Sequence, residues 1–270
     1  MTAVLVASDL DRTLIYSARA LLLEAADADA PRLVVSEVYQ GAPLSFMTRR
    51  AEDALSRIAS RAAFVPVTTR TVAQYRRVRL PGGVPEHAVT SNGGTILHRG
   101  EIDEGWNRSL RRRTAETCAP LVDVQALLTD PSRSSWVLRV HDAESLFLYA
   151  IVDRDILPAD DLAALSERCV ELGWVVSVQG RKLYCVPTTI DKRSAVAEIA
   201  SRTGADTVLA LGDSLLDEGM LTGADLAFRP AHGELHDVGF TASHLTVTSS
   251  RGVLAGEEML LGIEDVIAGG

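Results

Sequence analysis

Five short apolar runs alternate with helix-patterned stretches, and that alternation limits the fold more than any other feature of the chain. The runs are Ala3-Val-Leu-Val-Ala7, Ala63-Phe-Val-Pro-Val67, Thr207-Val-Leu-Ala-Leu211, Asp225-Leu-Ala-Phe228 and His244-Leu-Thr-Val247. Continuous apolar runs of this length suit strands buried on both faces, as in a parallel sheet. Helical patterns lie at Arg49 to Arg61, Val72 to Arg79, Arg193 to Thr203, Leu215 to Leu221 and Gly252 to Val266. The expected class is α/β, a Rossmann-like parallel-sheet core with helices on both faces. In such sheets the loops that follow the strands share one edge, where ligands bind.

The middle of the chain has a different rhythm. Ser135 to Val140 and Ser145 to Val152 read as strands of a hairpin, and Pro158 to Leu172 as a helix ended by Gly173. Trp174 to Val178 and Leu183 to Val186 read as a second hairpin, around Gln179-Gly180-Arg181-Lys182. A helical stretch from Leu110 to Leu128, interrupted by Pro120, precedes them. The order α-β-β-α-β-β inside an α/β chain predicts an inserted α+β domain over residues 97–187. Residues 1–96 and 188–270 then form the core. Residues 16–33 read as a connection or short helix.

Composition excludes several function classes. A 47% hydrophobic and 23% charged chain of 270 residues has the balance of a folded domain or pair of domains. No run approaches the roughly eighteen apolar residues a membrane span needs, so no membrane partner is expected. The apolar start stops at Asp9 and lacks a basic lead, which makes a cytoplasmic enzyme the default expectation. Cys118, Cys169 and Cys185 match neither a disulfide framework nor a zinc pattern and read as packing residues. A net charge of −9 argues against a nucleic-acid surface but not against an anionic metabolite held by a metal and a few placed cations. Of 27 basic residues only Lys182 and Lys192 are lysine, so each marks a candidate position for a compact ammonium.

The chemistry gathers at strand ends. Asp9-Leu10-Asp11-Arg12-Thr13 begins as the first run stops, and extended chain would turn Asp9 and Asp11 the same way. Adjacent carboxylates repel unless a cation or shared proton is present, and an all-oxygen pair suits Mg2+. Gly212-Asp213-Ser214-Leu215-Leu216-Asp217 follows another run, and a helical start would bring Asp213 and Asp217 to one face. Taken singly, each cluster reads as a helix cap or a solvated loop. Two such clusters at two strand ends are harder to read that way. Thr68, Thr69 and Arg70 end a third run and carry phosphate donors, while Lys192 opens a helix, a good anion position.

These four elements, in this order across the whole chain, resemble the haloacid dehalogenase superfamily of phosphohydrolases. The Asp-x-Asp-x-Thr motif of that family is matched by Asp9, Asp11 and Thr13, its Thr or Ser after the second strand by Thr68, its lysine by Lys192, and its Gly-Asp-x-x-x-Asp motif by Gly212, Asp213 and Asp217. The α-β-β-α-β-β insertion looks like the C2 cap of subclass IIB, which includes sugar-phosphate phosphatases, and Ser91-Asn92-Gly93-Gly94 is similar to the Asn-Gly turn common there. Arg12, Thr69 and Leu216 depart from the usual Gly, Gly and Asn.

The resemblance implies an Mg2+-dependent phosphatase acting on a small phosphorylated molecule, a sugar phosphate by subclass. It implies Asp9 as nucleophile, Asp11 as acid and base, and Thr68 and Lys192 as catalytic groups that offset phosphoryl charge. The metal would be held by Asp9, the Asp11 carbonyl and Asp213, with Asp217 behind them. Arg70, Asn92 and Arg181 are candidate substrate contacts, although the favoured reading of Arg181 is a solvated hairpin residue. The rivals are a phosphomutase of the same superfamily and a non-catalytic ligand-binding member.

Overall fold

The sheet that the apolar runs predict is present, five parallel strands with the first run near its middle. The computed structural model describes residues 3–269. Its chain opens with β1 (Val4–Ser8), passes two short 3-10 turns at Ala18–Ala20 and Asp27–Asp29, and enters a hairpin of β2 (Leu33–Tyr39) and β3 (Ala42–Thr48). Then come α1 (Arg49–Ala59), β4 (Ala63–Pro66), α2 (Val72–Tyr75) and a small antiparallel sheet of β5 (His87–Thr90), β6 (Thr95–His98) and β7 (Glu101–Ile102). A second group follows: α3 (Glu104–Thr117), α4 (Leu121–Leu128), β8 (Val137–Ala143), β9 (Phe147–Val152), α5 (Ala159–Glu171), β10 (Trp174–Gln179) and β11 (Lys182–Pro187). The chain closes with α6 (Lys192–Thr203), β12 (Thr207–Leu211), α7 (Glu218–Thr222), β13 (Leu226–Arg229), α8 (Glu234–Asp237), β14 (Leu245–Val247) and α9 (Val253–Gly269).

Two compact units result, one from the chain up to Ile102 together with the chain from Lys192 onward, the other from Asp103–Asp191. Residues 97–102 stay with the first unit because β6 pairs with β5 and β7 with β6.

In the first unit the strand order is β14-β13-β12-β1-β4, all parallel. Alternation sends Val6 to one face and Leu5 and Ala7 to the other. Val6 joins Phe64, Leu209, Leu211 and Phe228 against α1 and α9. The buried stripe of α1, Ala51, Ala54, Leu55 and Ile58, has the spacing of one helix face, and Thr48 caps its start by accepting from the Ala51 N–H at 3.0 Å. Each fully buried Leu, Ile or Phe here contributes about 1.5–3 kcal/mol. On α6, Ala195, Val196 and Ile199 are buried, and this helix packs with α7. Among the described residues no helix is long and apolar enough to cross a membrane.

The helix expected over Val72 to Arg79 shortens to the single turn of α2. Tertiary pairing overrides the pattern: Val78 bridges to Glu37, and the Arg79 N–H donates to the Ser36 carbonyl at 2.7 Å. The β2–β3 hairpin that makes those contacts was not anticipated.

The second unit holds an antiparallel sheet, order β10-β11-β9-β8, with α4 packed on β8 and β9 and α5 on β10. The stretch from Leu110 to Leu128 breaks into α3 and α4, with Cys118 extended and Pro120 capping α4, so the order is α-α-β-β-α-β-β. Buried Trp136 and Trp174 are satisfied by the Asp161 carboxylate and the Ala119 carbonyl, each at 2.9 Å. All three cysteines are free thiols, two of them buried.

Candidate active site

Asp9 is the first residue past β1, and its N–H donates to the Leu211 carbonyl of β12 at 2.9 Å, so the two central strands end side by side. Its carboxylate is buried, and Oδ1 accepts from Lys192 Nζ at 2.6 Å. Lys192 opens α6 with its side chain wholly buried, and its ammonium also donates to Asp217 Oδ1 at 2.5 Å. The other Asp217 oxygen closes its own loop, accepting from the Asp213 N–H at 3.1 Å, the Ser214 N–H at 2.9 Å and the Ser214 hydroxyl at 2.7 Å. Asp217 thus ties the strand-end loop and faces the lysine at once. One carboxylate oxygen from each of Asp9, Asp213 and Asp217 lies within 4.8 Å of the others.

The loop is tight enough that Gly212 is obligatory. A Cβ there would stand 2.4 Å from the Asp217 Cβ, closer than atoms pack. Gly212→Ala is therefore expected to push Asp217 out of line and cost about 1–3 kcal/mol. A melting temperature equal to wild type, measured by calorimetry, would show the loop has room.

Asp11 lies three residues past the end of β1. Its two carboxylate oxygens accept from Arg70 Nε and Nη2, both at 2.7 Å, in a bidentate pair. Arg70 Nη1 reaches a third carboxylate oxygen, Glu37 Oε2 on β2, at 2.8 Å. Arg70, expected at phosphate, thus has three donor nitrogens committed to carboxylates. Glu37 is buried on β2 and also accepts from Arg77 Nε at 2.9 Å and the Ser45 hydroxyl at 3.1 Å. Burial opposes the charge of Arg70, yet Asp11 and Glu37 outweigh it and raise its pKa.

Thr68, just past β4, is fully buried and its hydroxyl oxygen accepts from the Arg70 N–H at 3.2 Å. Asn92 adopts a left-handed φ of 59°, and its N–H donates to the Thr68 carbonyl at 2.9 Å, which joins the Asn-Gly turn to that strand end. Arg181 belongs to the other unit, exposed on the turn between β10 and β11, where its carbonyl accepts from the Val152 N–H. Arg12 replaces the glycine that the resemblance leads one to expect. It sits at φ 65°, and its Nε faces Asp213 Oδ2 at 3.4 Å.

No protein-family model matches the sequence, and no curated protein matches it at a significant level. Solved structures do match its fold. A sucrose-phosphatase from Synechocystis, in complex with sucrose and phosphate, is 16% identical with a TM-score of 0.69, covering 98% of this chain and 99% of that one. The C-terminal domain of a C. albicans trehalose-6-phosphate phosphatase is 13% identical with a TM-score of 0.59, over 98% and 92% of the two chains. A haloacid dehalogenase-like hydrolase from B. subtilis is 14% identical, TM-score 0.54, over 98% of each. The fold is that of the haloacid dehalogenase-like hydrolases.

On this haloacid dehalogenase-like framework the charges do not balance. Three buried carboxylates crowd together, two of them on the Lys192 ammonium and the third facing Arg12. Burial, with repulsion from Asp217, lifts Asp9 to a pKa of about 7 against the pull of Lys192. Burial and the charges of Asp9 and Asp217 push Asp213 well above the ordinary carboxylate range. Lys192 moves the other way: burial opposes its charge, but Asp217 and Asp9 outweigh that and hold it firmly protonated. A buried cluster of three carboxylates with oxygen donors only, too crowded for all three to ionise freely beside Lys192 and Arg12, fits a hard divalent cation such as Mg2+.

Proposed function

We propose that this chain is an Mg2+-dependent phosphatase that cleaves a phosphorylated small molecule, a sugar phosphate, through an aspartyl-phosphate on Asp9. The observation that carries the proposal is the buried Asp9–Lys192–Asp217 ion triad with Asp213 beside it. Such an arrangement costs stability unless an anion and a cation use it. The sugar phosphate as substrate is supported by the two sugar-phosphate phosphatases of similar fold.

In this mechanism one Asp9 oxygen is steered by Lys192 and the other attacks phosphorus, forming the acyl-phosphate bond as the bond to the leaving oxygen breaks. Asp11 gives the leaving oxygen its proton, then accepts one from the water that hydrolyses the acyl phosphate. The first step requires Asp11 to leave Arg70 and carry a proton. Thr68, whose oxygen already accepts from Arg70, has its O–H to give to a phosphoryl oxygen, and Lys192 offsets the charge that develops there. Asp9 and Asp213 would hold the Mg2+, with the Asp11 carbonyl added by the family resemblance and Asp217, engaged by Lys192 and its own loop, completing the cluster behind them. When bound, the ion supplies Lewis-acid polarisation of the phosphoryl group. The second unit, Asp103–Asp191, is proposed as the cap that selects the leaving group, with Arg181 and Asn92 as candidate contacts.

Purified protein with Mg2+ and a panel of phosphorylated metabolites tests the proposal through inorganic phosphate release. Sugar phosphates should head the ranking, and a folded protein that releases phosphate from none of them would contradict it. EDTA is expected to abolish release and Mg2+ to restore it, with Ca2+ a poor substitute because it takes looser, higher coordination. Full activity after exhaustive chelation would assign the acid cluster a structural role.

A further inference from the structure

The position after Asp11 holds a cation where the resemblance leads one to expect glycine. Arg12 adopts φ 65°, a backbone region that arginine enters only under strain. Its Nε is buried and has no hydrogen-bond partner, yet it lies 3.4 Å from Asp213 Oδ2. Contact between them is therefore one of charge and not of hydrogen-bond geometry. The Arg12 carbonyl is fixed separately, accepting from His232 Nε2 at 2.9 Å, while His232 Nδ1 accepts from the Gly252 N–H at 3.1 Å. The backbone is thus anchored and the guanidinium, with its side chain 42% exposed, has solvent to swing into.

We propose that Arg12 is a built-in competitor for the divalent-ion site: its guanidinium neutralises Asp213 and must give way when Mg2+ binds. This rests on the metal-binding reading of Asp9, Asp213 and Asp217 given above. Two cations cannot share one carboxylate without repulsion, so Arg12 sets the Mg2+ affinity below what three buried carboxylates would otherwise provide. It also explains how the cluster tolerates its excess negative charge before the ion arrives. Lys192 covers Asp9 and Asp217, and Arg12 covers Asp213.

The test is Mg2+ titration of the full chain at constant ionic strength, read by calorimetry and by the Mg2+-dependent rise in melting temperature. Arg12→Gly and Arg12→Asn both accept the left-handed backbone and remove the charge, whereas Arg12→Lys keeps the charge. For a partly exposed ion pair, the expected result is Mg2+ binding on the order of 10-fold tighter in the first two variants. Arg12→Lys should stay near wild type. Unchanged or weaker binding in Arg12→Gly and Arg12→Asn would overturn the proposal. So would a gain confined to Arg12→Gly, which would trace the effect to the backbone. Wild-type protein that binds no Mg2+ by either readout would refute the metal reading itself, a failure distinct from wild-type binding that the substitutions leave unmoved.

Discussion

Asp9→Asn is expected to lower phosphate release by roughly four orders of magnitude or more, as removal of a covalent nucleophile does elsewhere. The fold should survive. The amide oxygen can still accept from Lys192, which keeps Asp217 as its second partner at 2.5 Å. Stability should even rise at neutral pH, and the sign follows from the pKa. Burial raises Asp9 from an ordinary carboxylate value to about 7, so the folded state holds its proton more tightly than the unfolded state. Ionising Asp9 therefore costs stability progressively as pH rises from about 4 to about 7, and asparagine has no proton to lose. The check pairs phosphate release with thermal denaturation at pH 7. Near-normal release by a folded Asp9→Asn protein would remove Asp9 from the chemistry.

Lys192→Met is expected to do the reverse to stability and the same to activity. It leaves Asp9 and Asp217 buried without their shared ammonium, at contacts now 2.6 and 2.5 Å from Nζ. Removing one member of a buried ion cluster costs about 3–5 kcal/mol, enough for a large drop in melting temperature. Turnover should fall roughly 1,000-fold, since the charge that faced the phosphoryl group is gone. Millimolar Mg2+ should return part of the lost stability, because a second cation can meet the same carboxylates, and none of the lost activity. Arginine should not rescue, since a planar fork cannot replace a compact ammonium between two closely spaced oxygens. A Lys192→Met protein as stable as wild type would mean that the ammonium does not bridge the two carboxylates.

The strands that place the site were legible because burial on both faces leaves continuous apolar runs, as at Ala3 to Ala7 and Thr207 to Leu211. Asp9, Asp213, Asp217 and Lys192 were legible for a related reason. One acid cluster after a strand reads as a cap or a solvated loop, but two at separate strand ends point to one shared site, and in this chain lysine is scarce. The β2–β3 hairpin was not legible. Its outer residues Val35, Val38, Tyr39 and Leu44 are exposed, so neither alternation nor a turn dipeptide announced a half-buried sheet. Glu37 gave no signal either, because its burial depends on Arg70 and Arg77, respectively 33 and 40 residues away. The pairing of Asp11 with Arg70 was not legible, because it joins residues 59 apart at two different strand ends. The role of Arg12 depends on a backbone angle and one contact, neither of which is written in residue identity.

The covalent step on Asp9 is open to direct measurement. Protein turning over its best sugar phosphate would be quenched with borohydride, which reduces an acyl phosphate to an alcohol and so marks the residue that carried it. Peptide mass spectrometry then locates the mark. The mechanism predicts homoserine at position 9, formed only when substrate and Mg2+ are both present and absent from Asp9→Asn. A mark on another residue would contradict the assignment of Asp9. No mark in protein shown to be turning over, under conditions that trap a known acyl phosphate, would mean that water attacks the substrate directly.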